Sequence, residues 1–394
     1  VGGIKVTVGL EGVFLLRGPC SLRVVEGVVE VLGGRLGEGE FIVVPAGRAV
    51  ALRSEGARVE VSGCEPEAWS PEGYGRFEEA ASYAGSAGRV VLVGPTDSGK
   101  STLAAWILNG WGGGWLLEAD VGQNEVFAPG FEALTQPLGR VVVPGFLESF
   151  GKPKPCFVGS FTPSAAESKY LACAATLSRH AEGKLVVDTD GWVQRWGGLY
   201  SKAALAAATR ADLVISLGLA KGACRALEDV SGVEVLCLPR LVGGSGKSRE
   251  ERSLHRDRLL ARRLVGAREW RLRLDEVEVR GAPVLHGNPL PLEEARSIEP
   301  SAVYAEAQEG GIAVVSRNKP STRSGVKYVR LGWERGLLAA AHAQGEVEVA
   351  VILSIDYRAR RISVASRIGS KPSIIEAGLV RIDYESLSGS IPLG

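Results

Sequence analysis

A lysine in a glycine-rich turn, between an apolar run and a helical stretch, is the first place in this 394-residue chain where residue spacing could do chemistry. The stretch VLVGPTDSGKSTLAAW, residues 91–106, follows Val90 and sets Gly94, Pro95, Thr96, Asp97, Ser98, Gly99, Lys100 and Ser101 in the pattern G-x-x-x-x-G-K-[ST], with Thr102 next. Glycines at these points let successive backbone N–H groups turn toward phosphates at a helix N-terminus. Lys100 would reach the β- and γ-phosphates of a nucleotide, and the Ser101 hydroxyl would join a magnesium shell. Downstream, Gly246-Lys247-Ser248 repeats the ending of the pattern, but Leu241 stands where its first glycine is required. That segment reads as the glycine hinge of a basic stretch.

The next chemical group is the acid ending GWLLEAD, where Glu118-Ala119-Asp120 leads into Val121-Gly122-Gln123. A carboxylate at the C-terminal end of the strand neighbouring the phosphate loop would point into the same crevice. There it could hold magnesium, directly or through water, or take a proton from an attacking group. The alternative is an aspartate that only caps a turn. No N-K-x-D follows, so the simple GTPase pattern is absent.

The elements that must position these groups fall into three stretches. Residues 1–72 alternate short β-type runs with glycine turns and read as a β-sandwich-like domain. Residues 73–267 open on a Pro/Gly-containing linker that ends in a short helix. They continue with the strands RVVLVG, GWLLEAD, KLVVDTD, DLVISLG and VEVLCLP separated by helical stretches. That rhythm predicts an α/β fold of the P-loop NTPase type, a parallel sheet with helices on both faces. Residues 268–394 return to strands and read as a β-rich domain.

Hydrophobic content of 45% with 23% charged residues is that of a folded globular chain, and a net charge of +1 supplies no global attraction for nucleic acid. Any anion site is therefore local. The six cysteines, at 20, 64, 156, 173, 224 and 237, form no C-x-x-C pair, which argues against zinc and against a disulfide scaffold and for a reducing cytoplasm. The N-terminus lacks signal-peptide features, and no apolar stretch is long enough to span a bilayer.

Taken in order along the chain, these motifs resemble the polynucleotide 5′-hydroxyl kinase family, which includes the kinase subunit of eukaryotic pre-mRNA cleavage factor, the rRNA-processing polynucleotide kinase and archaeal relatives. GPTDSGKST matches that family's phosphate loop and Asp120-Val121-Gly122-Gln123 its D-x-G-Q element. GSFTP, with Thr162 and Pro163, resembles a second loop, and Thr189-Asp190-Gly191-Trp192 resembles the family's T-x-G-W clasp. KSREERSLHRDRLLARRLVG resembles its arginine lid, near residues 243–266, with Arg252 and Arg256 in the matching places. The resemblance implies a kinase that uses ATP and magnesium to phosphorylate the 5′-hydroxyl ends of RNA, with single-stranded DNA left open, within an RNA-processing complex and away from membranes.

The same resemblance distributes the roles. Lys100, Asp120, Arg252 and Arg256 would be catalytic, Asp120 as the proton acceptor and the arginines at the transferring phosphoryl group. Gly94 to Thr102 would hold the nucleotide. Gln123, Thr162, Thr189, Gly191 and Trp192 would hold the acceptor, the threonines by hydrogen bonds to phosphates and Trp192 by stacking on a base. Trp196 competes for that stacking role, and Trp192 packed into the core is the alternative. Ser101 and Asp120 would bind the metal, with Glu118 open because the family often has an aspartate there. Two rival readings keep the fold: an ATP-holding scaffold without chemistry, and a small-molecule kinase or NTPase.

Overall fold

The structure, a computed structural model, describes residues 5–139, 141–241, 248–318 and 324–388. They divide into two compact units, Val1–Cys156 with Thr162–Arg252, and Phe157–Phe161 with Ser253–Gly394.

The first unit begins with an antiparallel sheet of β1 (Lys5–Arg17), β2 (Cys20–Glu26), β3 (Val29–Val31), β4 (Gly34–Leu36), β5 (Phe41–Val44), β6 (Ala49–Ser62) and β7 (Glu67–Ala68). β6 organises it. One edge of β6 pairs β1 along its length, and the other pairs β3 near Leu52 and β2 near Val61. Val59 and Val61 are buried while Arg58 is exposed, so the pleat puts its apolar side inward. β1 runs through Gly9 and Gly12, where local propensity alone would favour a turn. Cross-strand pairing overrides that local signal.

The linker expected to end in a short helix, residues 65–88, holds that helix at its centre. Ser70 caps α1 (Pro71–Ser82), its hydroxyl accepting from Gly73 N at 3.1 Å, with Pro71 in the first turn. Tyr74 and Phe77 pack on Trp106, with ring centroids 4.7 and 5.5 Å away, and the Tyr74 hydroxyl donates to Glu30 of β3 at 2.8 Å. α1 thereby fastens the N-terminal sheet to the layer behind it.

That layer is the expected α/β core. Its elements are β8 (Arg89–Val93), α2 (Lys100–Trp111), β9 (Trp115–Ala119), β10 (Phe131–Thr135), β11 (Lys154–Phe157), α3 (Glu167–Ser178), β12 (Leu185–Thr189), α4 (Arg195–Thr209), β13 (Leu213–Leu217), α5 (Lys221–Ser231) and β14 (Glu234–Leu238). The strand order is β11-β10-β9-β12-β8-β13-β14, with β9, β12, β8, β13 and β14 parallel and β10 antiparallel to β9. The chain leaves β8 through α2 toward β9 in one direction, and leaves β12 through α4 toward β13 in the other. Right-handed crossovers then put α2 and α4 on opposite faces of the sheet. The helix contacts agree, since α1 packs with α2, while α3, α4 and α5 pack in series. Neighbouring strands β8 and β12 therefore open a crevice at their C-terminal ends, where α/β sheets bind ligands.

α6 (Arg249–Leu264) begins in the first unit and ends in the second. The second unit continues with β15 (Arg268–Arg273), β16 (Glu278–Arg280), β17 (Asn288–Pro289), α7 (Leu292–Ile298), β18 (Ala302–Gln308), β19 (Gly311–Ser316), β20 (Val326–Arg330), β21 (Leu337–Ala343), β22 (Glu346–Asp356), β23 (Arg361–Ser366), β24 (Ile374–Arg381) and α8 (Tyr384–Ser388). One sheet runs β15-β23-β22-β21-β24-β16 over a core that includes Ile352, Ile362 and Val364; the other runs β17-β18-β19-β20 and packs against α7.

The expectation about cysteine is corrected. Cys20 pairs with Cys64, Cys156 with Cys173 and Cys224 with Cys237, across separations of 44, 17 and 13 residues. Linear spacing concealed this because the fold brings the partners together: Cys20 on β2 lies beside the end of β6, and Cys224 on α5 lies over Cys237 on β14. Each loop so closed would stabilise the chain by roughly 3–4 kcal/mol on a chain-entropy reckoning. Unfolded in denaturant without reductant, the protein should show no titratable thiol, and after reduction all six; six free thiols before reduction would remove the bridges.

Candidate active site

Gly99 is the N-cap of α2, with φ 100°, a backbone state that suits glycine, and Lys100 begins the helix proper. The loop that results is held by its own lysine. Lys100 is buried, and its Nζ donates to Gly94 O and Pro95 O, both at 2.9 Å. Two of its three N–H groups are thus spent on the loop, with the third left for a ligand. Leu241, in the segment that mimicked a second phosphate loop, donates its N–H to Ser98 O at 3.2 Å and so braces the real one. The glycines expected to hinge that segment, Gly243, Gly244 and Gly246, and its Lys247 lie outside the described residues.

Asp120 does not stand where it was expected. Its strand, β9, is not the neighbour of β8; β12 lies between them. The carboxylate next to the phosphate loop is instead Asp188, near the end of β12, which receives a hydrogen bond from the Ser101 hydroxyl. Asp120 still reaches the same cleft. This space of about 480 Å³ is also lined by Thr96 to Thr102, Glu118, Gln123, Asp188 and Thr189, and on its far wall by Gly47, Arg48 and Trp69. Asp120 also does what the plainer reading proposed. Its Oδ1 accepts from Gly122 N at 2.9 Å and Gln123 N at 3.0 Å, which leaves Oδ2 for chemistry.

The clasp follows β12 and meets the loop directly. A Cβ added to Gly191 would come within 2.6 Å of Thr96 N and 2.7 Å of Thr96 Oγ1, so only glycine fits between clasp and phosphate loop. Thr189 is buried, and its hydroxyl donates to Leu92 O at 2.7 Å. That corrects its expected part as a phosphate donor, because a hydroxyl has one proton to give. Trp192 is half-buried with its ring edge against Gly197, which argues against a fully sealed core position. Trp196 and Tyr200 are 60% and 51% exposed and stack with centroids 5.9 Å apart.

Burial dominates the electrostatics. It lifts Asp188 to about 6, against the pull of Lys100 and the hydrogen bond from Ser101. It raises Glu118 well above the usual carboxylate range, with Asp188 and Asp120 adding to the effect, and raises Asp120, with Asp190 adding and Lys100 opposing. It lowers Lys100 in spite of Asp188 and Asp120. Arg48 pairs with Glu125, and the carboxylates around it outweigh burial and hold its charge. Glu118, Asp120 and Asp188, set against Lys100 and an Arg48 already paired with Glu125, leave a need for further positive charge. No group of three or more His, Cys, Asp or Glu among the described residues is arranged to hold a metal unaided. Asp188 Oδ1, however, is buried without a hydrogen-bond partner among the described residues, and its carboxylate receives the Ser101 hydroxyl.

Of the remaining expected residues, Thr162 is exposed, with its Oγ1 3.0 Å from Ser164 Oγ. Arg252 and Arg256 lie four residues apart on α6, both half-buried. In the second unit the Arg256 guanidinium lies 4.8 Å over the ring of Phe161, within the GSFTP loop, and Gly159 O of that loop accepts from Leu379 N at 2.7 Å.

Residues 94–262 match the model of the P-loop of mRNA cleavage and polyadenylation factor CLP1. Over this stretch the chain is similar to the P-loop domain of the Clp1 family. Similarity extends beyond that domain. The polyribonucleotide 5′-hydroxyl-kinase Clp1 of Xenopus laevis is 29% identical over 314 residues, covering 70% of this chain and 71% of the relative. The CLP1 homolog of Arabidopsis thaliana is 27% identical over 282 residues, covering 61% and 62%. A solved structure of wild-type Clp1p in complex with Pcf11p superposes with a TM-score of 0.61 over 96% of this chain and 98% of that one, at 13% identity, which speaks to the fold alone.

At this site, sequence reasoning missed Asp188, Arg48 and Glu125. Asp188 carried the signal already applied to Asp120, an acid ending an apolar strand, but it was read only as the approach to the clasp. Arg48 and Glu125 are far apart in sequence and gave no local sign. The Gly191–Thr96 contact makes a specific prediction. Gly191→Ala should weaken ATP binding by about tenfold or more, although it lies outside the phosphate loop, because the added methyl must push Thr96 aside. Calorimetric titration with ATP, on a variant with unchanged circular dichroism, checks this; wild-type affinity would mean the contact is loose.

Proposed function

We propose that this chain transfers the γ-phosphate of ATP to the 5′-hydroxyl end of RNA. The observation that carries the reading is the contact of Gly191 with Thr96. A donor loop and an acceptor turn leave adjacent parallel strands and touch, so two substrates bound to them would meet at one point. The similarity to the Xenopus polyribonucleotide 5′-hydroxyl-kinase supports the acceptor class.

In this reading the phosphate loop N–H groups and Lys100 hold the β- and γ-phosphates. Asp120 Oδ2 accepts the proton of the 5′-hydroxyl as its oxygen forms the new P–O bond, and the bond from the γ-phosphorus to the bridging oxygen breaks to release ADP. Burial suits Asp120 to this, since a carboxyl of raised pKa is a better base near neutrality. Ser101 and Asp188 would hold magnesium, which would neutralise phosphate charge; the unpartnered Asp188 Oδ1 is the atom that fits it. Glu118, whose pKa burial raises well above the usual carboxylate range, suits that role less well. Arg252 and Arg256 would add positive charge at the transferring group, and Gly47 and Arg48 would lie near the base. Trp192 would stack on the terminal base, with Trp196 and Tyr200 offering a second stacking surface. The similarity to the P-loop of mRNA cleavage and polyadenylation factor CLP1 also supports a place in an RNA-processing assembly.

Labelled ATP offered with matched 5′-hydroxyl RNA and DNA oligomers tests the reading. Label should pass to RNA, and Lys100→Ala should reduce that transfer by about a hundredfold or more. ATP binding with no transfer to any acceptor would make the chain a scaffold. In the same assay Trp192→Ala should raise the KM for the oligomer by about tenfold while leaving ATP affinity near wild type. Equal loss of both would return that ring to a packing role.

A further inference from the structure

Lys202 is a charged side chain that the proposed reaction does not use, yet it is wholly buried on α4. Its ammonium pairs with Asp190 Oδ2 and lies 3.3 Å from the hydroxyl of Tyr170, on α3. Tyr170 is also fully buried, and its hydroxyl donates to the same Asp190 oxygen at 3.2 Å. The other oxygen, Asp190 Oδ1, accepts the backbone N–H of Trp192 at 2.6 Å. Asp190 is thus held from both sides, by a cation and a phenol from two helices and by the turn that carries Gly191 and Trp192.

A second acid faces the same lysine. Glu132, on β10, is fully buried, and neither of its carboxylate oxygens has a hydrogen-bond partner among the described residues. Burial raises its pKa well above the usual carboxylate range, with Lys202 opposing, and the lysine's ion pair is made with Asp190. Packing alone does not call for such a pair. Apolar residues of similar volume would serve stability as well or better, whereas removing one partner strands a buried charge. What the pair supplies is direction, because it fixes the carboxylate that fixes the turn.

We propose that Lys202 is a positioning residue of the acceptor site, acting through Asp190 to hold the Gly191–Trp192 turn against Thr96 of the phosphate loop. This rests on the kinase reading for the name of the acceptor, but not for the geometry.

The test has two readouts. In Lys202→Met, hydrogen exchange at the Trp192 amide should quicken by about tenfold or more, since its acceptor is no longer fixed. The KM for a 5′-hydroxyl RNA oligomer should rise by about tenfold while ATP affinity stays within about twofold. Should the stranded Asp190 charge prevent folding, Lys202→Met with Asp190→Asn removes both charges, and the same two changes are expected. Tyr170→Phe should move both readouts in the same direction by a smaller factor. Unchanged exchange overturns the proposal, and so does faster exchange with an unchanged acceptor KM. If wild-type protein phosphorylates no acceptor, the kinase reading fails alone, and the exchange measurement still decides whether Lys202 holds the turn.

Discussion

The close approach of Gly191 to Thr96 is the constraint on which the rest of the site depends. It exists because β8 and β12 are neighbours whose connecting helices leave to opposite faces of the sheet. Two loops then emerge side by side with nothing between them. One is the phosphate loop, whose N–H groups and lysine suit a donor. The other is the clasp, whose shape is set by Asp190 and whose only tolerated residue at the contact is glycine. A side chain at position 191 would part the loops by the width of a methyl group, and a shift of about an ångström at a reacting centre is enough to cost much of the rate.

Around this contact the protein concentrates buried acid. Glu118, Asp120 and Asp188 are each raised by desolvation, and neighbouring carboxylates add to it. Such an arrangement is costly in isolation, and Lys100 is itself discouraged from carrying charge. Under the kinase reading the missing partners would arrive with the ligand, as a cation and as phosphates that claim the lysine. Arg48 and Glu125 show the other solution used here, a pair closed on itself that puts a guanidinium on the cleft wall.

Much of this was legible in the residues, and the failures have physical causes. The phosphate loop was readable because its geometry needs glycine and lysine at fixed spacing, and the α/β rhythm because buried parallel strands must be apolar throughout. The position of Asp120 was not, since strand order is set by crossovers that a linear pattern does not encode. Asp188 was passed over because the order was assumed to place β9 beside β8. The disulfides were lost to the habit of judging cysteines by their neighbours in sequence. Lys202 looked like an ordinary helix lysine; nothing local distinguishes a buried cation from a solvated one. Its partner Asp190 sat in plain view as the variable letter of the clasp.

The inward turn of Thr189 changes how the clasp must work. With its hydroxyl given to Leu92 O, the threonine ties β12 to β8 at the point where the two loops diverge, and it cannot also grip a phosphate. Under the kinase reading, hold on the acceptor then passes to groups that remain outside the core: the half-buried ring of Trp192 and the exposed stack of Trp196 and Tyr200. Stacking surfaces take any base, because every base has a π-face. A site made of a rigid turn, a catalytic acid and stacking rings would recognise the end of a strand and be indifferent to its sequence. The buried network under Asp190 is what such a site requires, because an acceptor gripped by so few polar contacts depends on the turn being in place before it arrives.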